Sequence, residues 1–126
     1  MKNIATEHLQ HAIYELAQRL GVPKDSYLLS PMDLQDSEQI KMRIDGLTLA
    51  FVSFCYHKHP RGENVYELIE QQETVAEGSP EYIELEARAE TAAALEIPFI
   101  VKLNELLEDY SIIRYNLEQL VEKMEG

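Results

Sequence analysis

Gln39-Ile40-Lys41-Met42-Arg43-Ile44-Asp45-Gly46-Leu47-Thr48-Leu49-Ala50-Phe51-Val52-Ser53-Phe54-Cys55-Tyr56 is the stretch whose conformation decides the fold. As a β-hairpin it has Asp45-Gly46 as a two-residue type I′ turn, a geometry that needs positive φ at both positions and favours this dipeptide. Across the turn Ile44 then faces Leu47, Met42 faces Leu49 and Ile40 faces Phe51, giving one wholly apolar face. On the other face Arg43 meets Thr48 and Lys41 meets Ala50, the alternation of a half-solvated antiparallel sheet. As a helix, the same stretch places Ile40, Ile44, Leu47, Phe51 and Phe54 on one stripe. The turn dipeptide and the run Thr48, Phe51, Val52, Phe54, Tyr56 favour strands. The expected class is therefore α+β and mainly helical, with an all-α bundle as the alternative. A hairpin alone is unstable in water, so it must rest on a helix, a third strand or a partner's edge.

Upstream, Leu9, Ala12, Ile13, Leu16, Ala17 and Leu20 follow helical spacing from Thr6 onward, with Thr6 as the expected N-cap and Gly21-Val22-Pro23 as the stop. Tyr27-Leu28-Leu29 suits a third short strand. Downstream, residues 57–64 read as a loop, and Leu68, Ile69, Gln72, Val75 and Ala76 define a helix from Val65 to Ala76, stopped at Gly78. Ser79-Pro80-Glu81 opens an alanine-rich helix, and Pro98 is expected to end or kink it, because proline lacks an amide hydrogen and crowds the preceding turn. A long heptad-patterned helix follows from about Phe99 to Met124. Its stripe, Leu103, Leu106, Tyr110, Ile113, Leu117, Leu120 and Met124, alternates spacings of three and four and suits either a core or self-association into a homodimer.

With 126 residues, the chain is long enough for one domain with its own core. No apolar run approaches the roughly 18 residues of a membrane span, and the N-terminus enters a helical pattern without a secretory apolar segment, so the expected location is cytoplasmic. The 23 acidic and 11 basic residues leave a net charge of −12. Residues 1–59 carry seven acids and six bases, a net of −1; residues 60–126 carry sixteen acids and five bases, a net of −11. That asymmetry argues against direct nucleic-acid or membrane binding, which needs clustered Lys and Arg, and for a basic partner.

Chemistry-bearing constellations are sparse. The five glycines are scattered singletons and form no phosphate loop. A lone cysteine, Cys55, makes no internal disulfide, and on a strand it continues the core-facing parity of Leu47, Leu49 and Phe51. In an extended strand Cys55, His57 and His59 would share one face and form a candidate transition-metal set. His8 and His11 fall on the solvent side of the first helix, and Pro60 ends the strand, so no metal or other cofactor is assigned.

Glu81 with Glu84, and Glu105 with Glu108, place two carboxylate pairs on two helices, where they could face each other across Mg²⁺. In this the chain resembles the all-α nucleotide pyrophosphohydrolases, which implies a Mg-dependent hydrolase; its second pair ends in Glu108 where that family tends to have aspartate. Leu16-Ala17-Gln18-Arg19-Leu20-Gly21, followed by expected strands around Ile44-Asp45-Gly46, is similar to type III secretion chaperones, which implies a dimeric, non-enzymatic client holder over the first 56 or so residues. The leading expectation differs from both. It is a non-enzymatic interaction module, an acidic inhibitor or adaptor of the kind found among phage and mobile-element inhibitors, antitoxins and immunity proteins. Glu67, Glu70, Glu73, Glu77, Glu81 and Glu84 would then be carboxylates standing in for phosphates on a basic surface.

Overall fold

A computed structural model describes residues 2–60 and 62–126. Met1 and Arg61, the latter one of the five bases of the acidic half, lie outside the described residues. The fold is mainly helical: α1 (Thr6–Arg19), a short 3-10 turn (Tyr27–Leu29), α2 (Ser37–Lys58), α3 (Val65–Glu73) and α4 (Pro80–Glu125). Among the described residues there is no strand, so the all-α alternative holds and the hairpin does not. The chain divides into two compact units, one made of the residues up to Lys58 with Leu103–Gly126, the other of His59–Lys102.

Three physical facts make residues 39–56 a helix. The Asp36 carboxylate accepts from the Glu38 amide at 3.0 Å and so caps the first turn. Gly46 has no positive φ, unlike Gly21 and Gly78, so it does not serve a turn. A Cβ at Gly46 would stand 2.8 Å from Cδ2 of Leu28, so the glycine lets the 3-10 turn approach the helix backbone closely. The apparent strand alternation arises because α2 is apolar on two sides. Ile40, Leu47 and Phe54 are buried, whereas Met42, Leu49, Val52 and Tyr56 face outward. The similarity to type III chaperones rested on strands at Ile44-Asp45-Gly46, and that segment is helical.

The first unit has a substantial core. Leu9, Ile13, Leu16 and Ala17 of α1 are buried, as are Leu28, Ile40, Leu47 and Phe54, and Leu106, Tyr110, Ile113 and Leu117 of α4. Of the two readings of the heptad stripe, core or self-association, this burial supports the first. Its central four residues are intramolecular core, Leu103 and Leu120 are half-buried, and only Met124 at the end is exposed. Several polar groups inside this unit are matched, whereas Gln10 Oε1 and Arg43 Nε are buried without a hydrogen-bond partner among the described residues. Tyr110 stacks on Phe51 at 5.1 Å, and its hydroxyl lies 2.7 Å from Thr48 Oγ1 and accepts from Arg114 at 2.9 Å. Asn116 accepts from the Ile4 amide at 2.8 Å and donates to the Lys2 carbonyl at 3.0 Å, tying the N-terminal segment to α4.

The remaining differences are local. Tyr27–Leu29 is a 3-10 turn rather than a strand, capped by the Ser26 hydroxyl accepting from the Leu28 amide. Ala5, not Thr6, precedes α1, with no side-chain cap. Pro98 neither ends nor divides the last helix: α4 runs through it, and the proline ring lies on an exposed side. One lost helical bond at such a position is offset by the packing of the turns on either side.

Candidate functional site

The second unit carries most of the charge. Residues 59–102 hold ten acids and three bases, a net of −7, against thirteen and eight, a net of −5, in the rest of the chain. Its core is small: Leu68, Leu85 and Ala92 are buried, with Val65, Val75 and Ala89 packed around them. Asn64 caps α3, its side-chain oxygen accepting from the amides of Tyr66 at 2.9 Å and Glu67 at 3.2 Å. Fixing Leu68 inward then turns Glu67, Glu70 and Glu73 to solvent. Gly78 takes φ +80° in the connecting turn, and the Ser79 hydroxyl accepts from the Tyr82 amide at 3.2 Å with Pro80 at the first helical position, as the sequence predicts.

All six candidate glutamates, Glu67, Glu70, Glu73, Glu77, Glu81 and Glu84, are exposed, and none forms an ion pair among the described residues. The row is not continuous: three lie on α3, one in the turn and two on α4. Within α3 successive members rise about 4.5 Å along the axis while drifting around it, compared with about 3.4 Å per phosphate along one DNA strand. The arrangement is therefore an acidic patch rather than a duplex-like rail.

Tyr66 was not singled out by the sequence. It is 78% exposed, the most exposed large apolar side chain described, and shares its helix face with Glu70 one turn on and Glu73 two turns on. Its signal was its position off the Leu68 stripe in an otherwise acidic face. Tyr66 also rims a cleft of about 210 Å³ lined by His59, Glu63, Asn64, Ala92, Leu95 and Glu96. Glu63 is gripped by Arg88 in a short bidentate contact, which holds the Glu63 carboxyl below its usual range and raises the Arg88 guanidinium, with Glu84 adding to the latter. Glu96 lies 3.7 Å from His59, whose ring meets Phe99 edge-on at 5.2 Å. Both acids of the cleft are thus already engaged, above a floor of Ala92 and Leu95.

The enzyme and metal candidates are not assembled in this way. Glu81, Glu84, Glu105 and Glu108 all belong to α4 and not to two helices, the first pair in the second unit and the other pair in the first. Cys55 and His57 lie on α2, not on a strand; Cys55 is half-buried, and His57 Nδ1 turns back to the Ser53 carbonyl at 3.0 Å. Among the described residues no three of His, Cys, Asp and Glu are gathered to hold a metal ion. No helix is long and apolar enough to cross a membrane. Compared with protein-family models, with curated proteins and with solved structures, the chain matches none.

Proposed function

We propose that this chain is a non-enzymatic interaction module whose acidic α3–α4 patch docks a basic surface of a partner protein. The observation that carries the reading is Tyr66, highly exposed on a helix face with Glu70 and Glu73, which form no ion pair among the described residues. An aromatic anchor ringed by charge is the composition of an interface hot spot: the ring supplies contact area and a cation–π face for Arg, and the glutamates supply steering and register. A surface that normally contacts nucleic acid is the natural counterpart, since it already presents clustered Lys and Arg. An adaptor or inhibitor acting in this way needs no catalytic group of its own.

The test is affinity capture from the source cells at low and high salt, using the wild-type chain, Tyr66→Ala, and a triple variant with Glu67→Gln, Glu70→Gln and Glu73→Gln. A basic protein retained by wild type at low salt, released by salt and lost from both variants is the expected result. Capture that is indifferent to salt and to the triple variant overturns the reading, as does a partner of acidic composition.

A further inference from the structure

We infer that the seam between α1 and the C-terminal part of α4, within the first unit, is a site for an extended peptide segment with one aliphatic side chain, and that residues 2–5 of this chain are its resident occupant. Asn116 builds the site. It is only 8% exposed, and its neighbours along the helix, Ile113 and Leu117, are buried. Its side-chain oxygen accepts from the Ile4 amide at 2.8 Å, and its side-chain nitrogen donates to the Lys2 carbonyl at 3.0 Å. A carbonyl and the amide two residues on lie along one edge of an extended run, so the Asn116 amide takes the part that a neighbouring strand's peptide group would play. Ala5, at φ −58° and ψ 137°, keeps the run extended up to the start of α1. The same nitrogen donates to the Ile112 carbonyl at 2.8 Å, so α4 itself orients the amide toward whatever segment lies there. A buried amide stripped of its other partners is costly, and the seam therefore favours being filled.

The resident segment shows what the site reads. Both bonds from Asn116 go to main chain, and of residues 2–5 only Ile4 is half-buried, while Lys2, Asn3 and Ala5 are exposed. Recognition thus rests on backbone and on one aliphatic side chain, not on the identity of its neighbours. Ile4 borders a cleft on each side, one of about 170 Å³ that reaches Leu16 and Ile113, the other of about 440 Å³ that reaches Leu9, Tyr115 and Gln119. A segment with bulkier residues beside its aliphatic one has room that residues 2–5 leave unfilled. The resident is also lightly held. Apart from the first-turn bond from the His8 amide to the Ala5 carbonyl, the two bonds from Asn116 are the hydrogen bonds that fix it among the described residues, and α1 begins with no side-chain cap. Lifting it breaks two bonds and uncovers one aliphatic side chain, while the buried Leu9, Ile13, Leu16 and Leu117 stay packed.

The probe is the blocked tetrapeptide acetyl-Lys-Asn-Ile-Ala-amide, and the host is the full chain with Ile4→Pro, which removes the amide hydrogen and the side chain of the resident while leaving Asn116 in place. Titration followed on the Asn116 side-chain amide resonances should show saturable binding. The wild-type chain should bind the peptide more weakly, because its own segment competes at high effective concentration. The same peptide with N-methylated isoleucine keeps the aliphatic group and loses the donor, and should bind at least about tenfold more weakly. Hydrogen exchange of the unaltered chain tests the site without a substitution: the Ile4 amide should exchange at least about tenfold faster than the Ile13 amide of the core, through opening of residues 2–5 alone. An Ile4 amide that exchanges only with global unfolding overturns the inference. So does a folded Ile4→Pro chain whose Asn116 resonances ignore the peptide, or an N-methylated peptide that binds equally well.

Discussion

Arg43 and Arg88 both fasten a loop to a helix, one in each unit, and their surroundings are opposite. Arg43 is fully buried, and among the described residues it has no carboxylate partner. Its guanidinium donates to the carbonyls of Leu28, Ser30 and Pro31 and to the Ser30 hydroxyl, and packs over Tyr27 at 4.2 Å. Arg88 is 42% exposed and held by one glutamate. A buried cation distributed over several carbonyls is tied to one arrangement of its neighbours, because a single side chain binds residues 28, 30 and 31 together. An exposed ion pair is screened and replaceable by water. The first unit is thus organised for a unique, deeply packed structure. The second keeps a thin core under a charged surface, and regions with few buried apolar contacts open at lower free energy. Placing the proposed partner site on the second unit assigns adaptability to recognition.

The largest test of this contrast is Arg43→Met, which keeps the stem and removes the donors. The expected loss is about 3–5 kcal/mol of global stability in urea unfolding, since four hydrogen bonds from a buried charged donor are lost and the Leu28 carbonyl stays buried, although the Ser30 carbonyl keeps its bond from Gln10 Nε2. Arg88→Met at the exposed pair should leave the urea midpoint nearly unmoved. If the two substitutions have equal effects, the distinction between the units collapses.

Next in size is Leu68→Ala. Leu68 is 3% exposed and is one of three buried residues in its cluster, so its truncation should cost about 2–4 kcal/mol. Hydrogen exchange followed by mass spectrometry should show the loss concentrated in residues 62–102, with α1 and α2 still protected. A uniform loss of protection across the chain would mean that the two units open as one, and the contrast would then be one of surface rather than of stability.

How much of this was legible follows from what each residue has to touch. The α1 stripe, the Asn64-to-Leu68 start of α3 and the Ser79-Pro80 entry to α4 depend on neighbours within one or two turns, and a single sequence displays them. The exposed acidic patch was visible because glutamates remain in solvent, and of the six only Glu84 has a base, Arg88, one turn on. The fate of residues 39–56 was not visible. Asp45-Gly46 is a strong local turn signal, and the reason for its glycine lies eighteen residues upstream at Leu28. The exposed Met42, Leu49, Val52 and Tyr56 then supplied a false period of two. The heptad stripe of α4 has the same spacing whether it meets its own chain or another copy, so pattern alone could not send it to the core. Tyr66 was overlooked because one aromatic in an acidic helix has no periodicity.

The smallest test bears on that glycine and on how tightly the first unit is packed. Gly46→Ala gains helix propensity of about 1 kcal/mol. Its new Cβ, however, must push Cδ2 of Leu28 away from a 2.8 Å contact in a buried site, where overpacking costs about 1–3 kcal/mol. The net expectation in the wild-type background is a destabilisation of about 1 kcal/mol. In a Leu28→Ala background the obstructing methyl is gone and only the propensity term remains. The same Gly46→Ala substitution should then stabilise the protein, so the double-mutant cycle changes sign. Urea midpoints of the four proteins measure this directly. A Gly46→Ala that stabilises in both backgrounds would show that the 3-10 turn does not need its close approach to α2, and that the first unit is packed more loosely than its buried Arg43 implies.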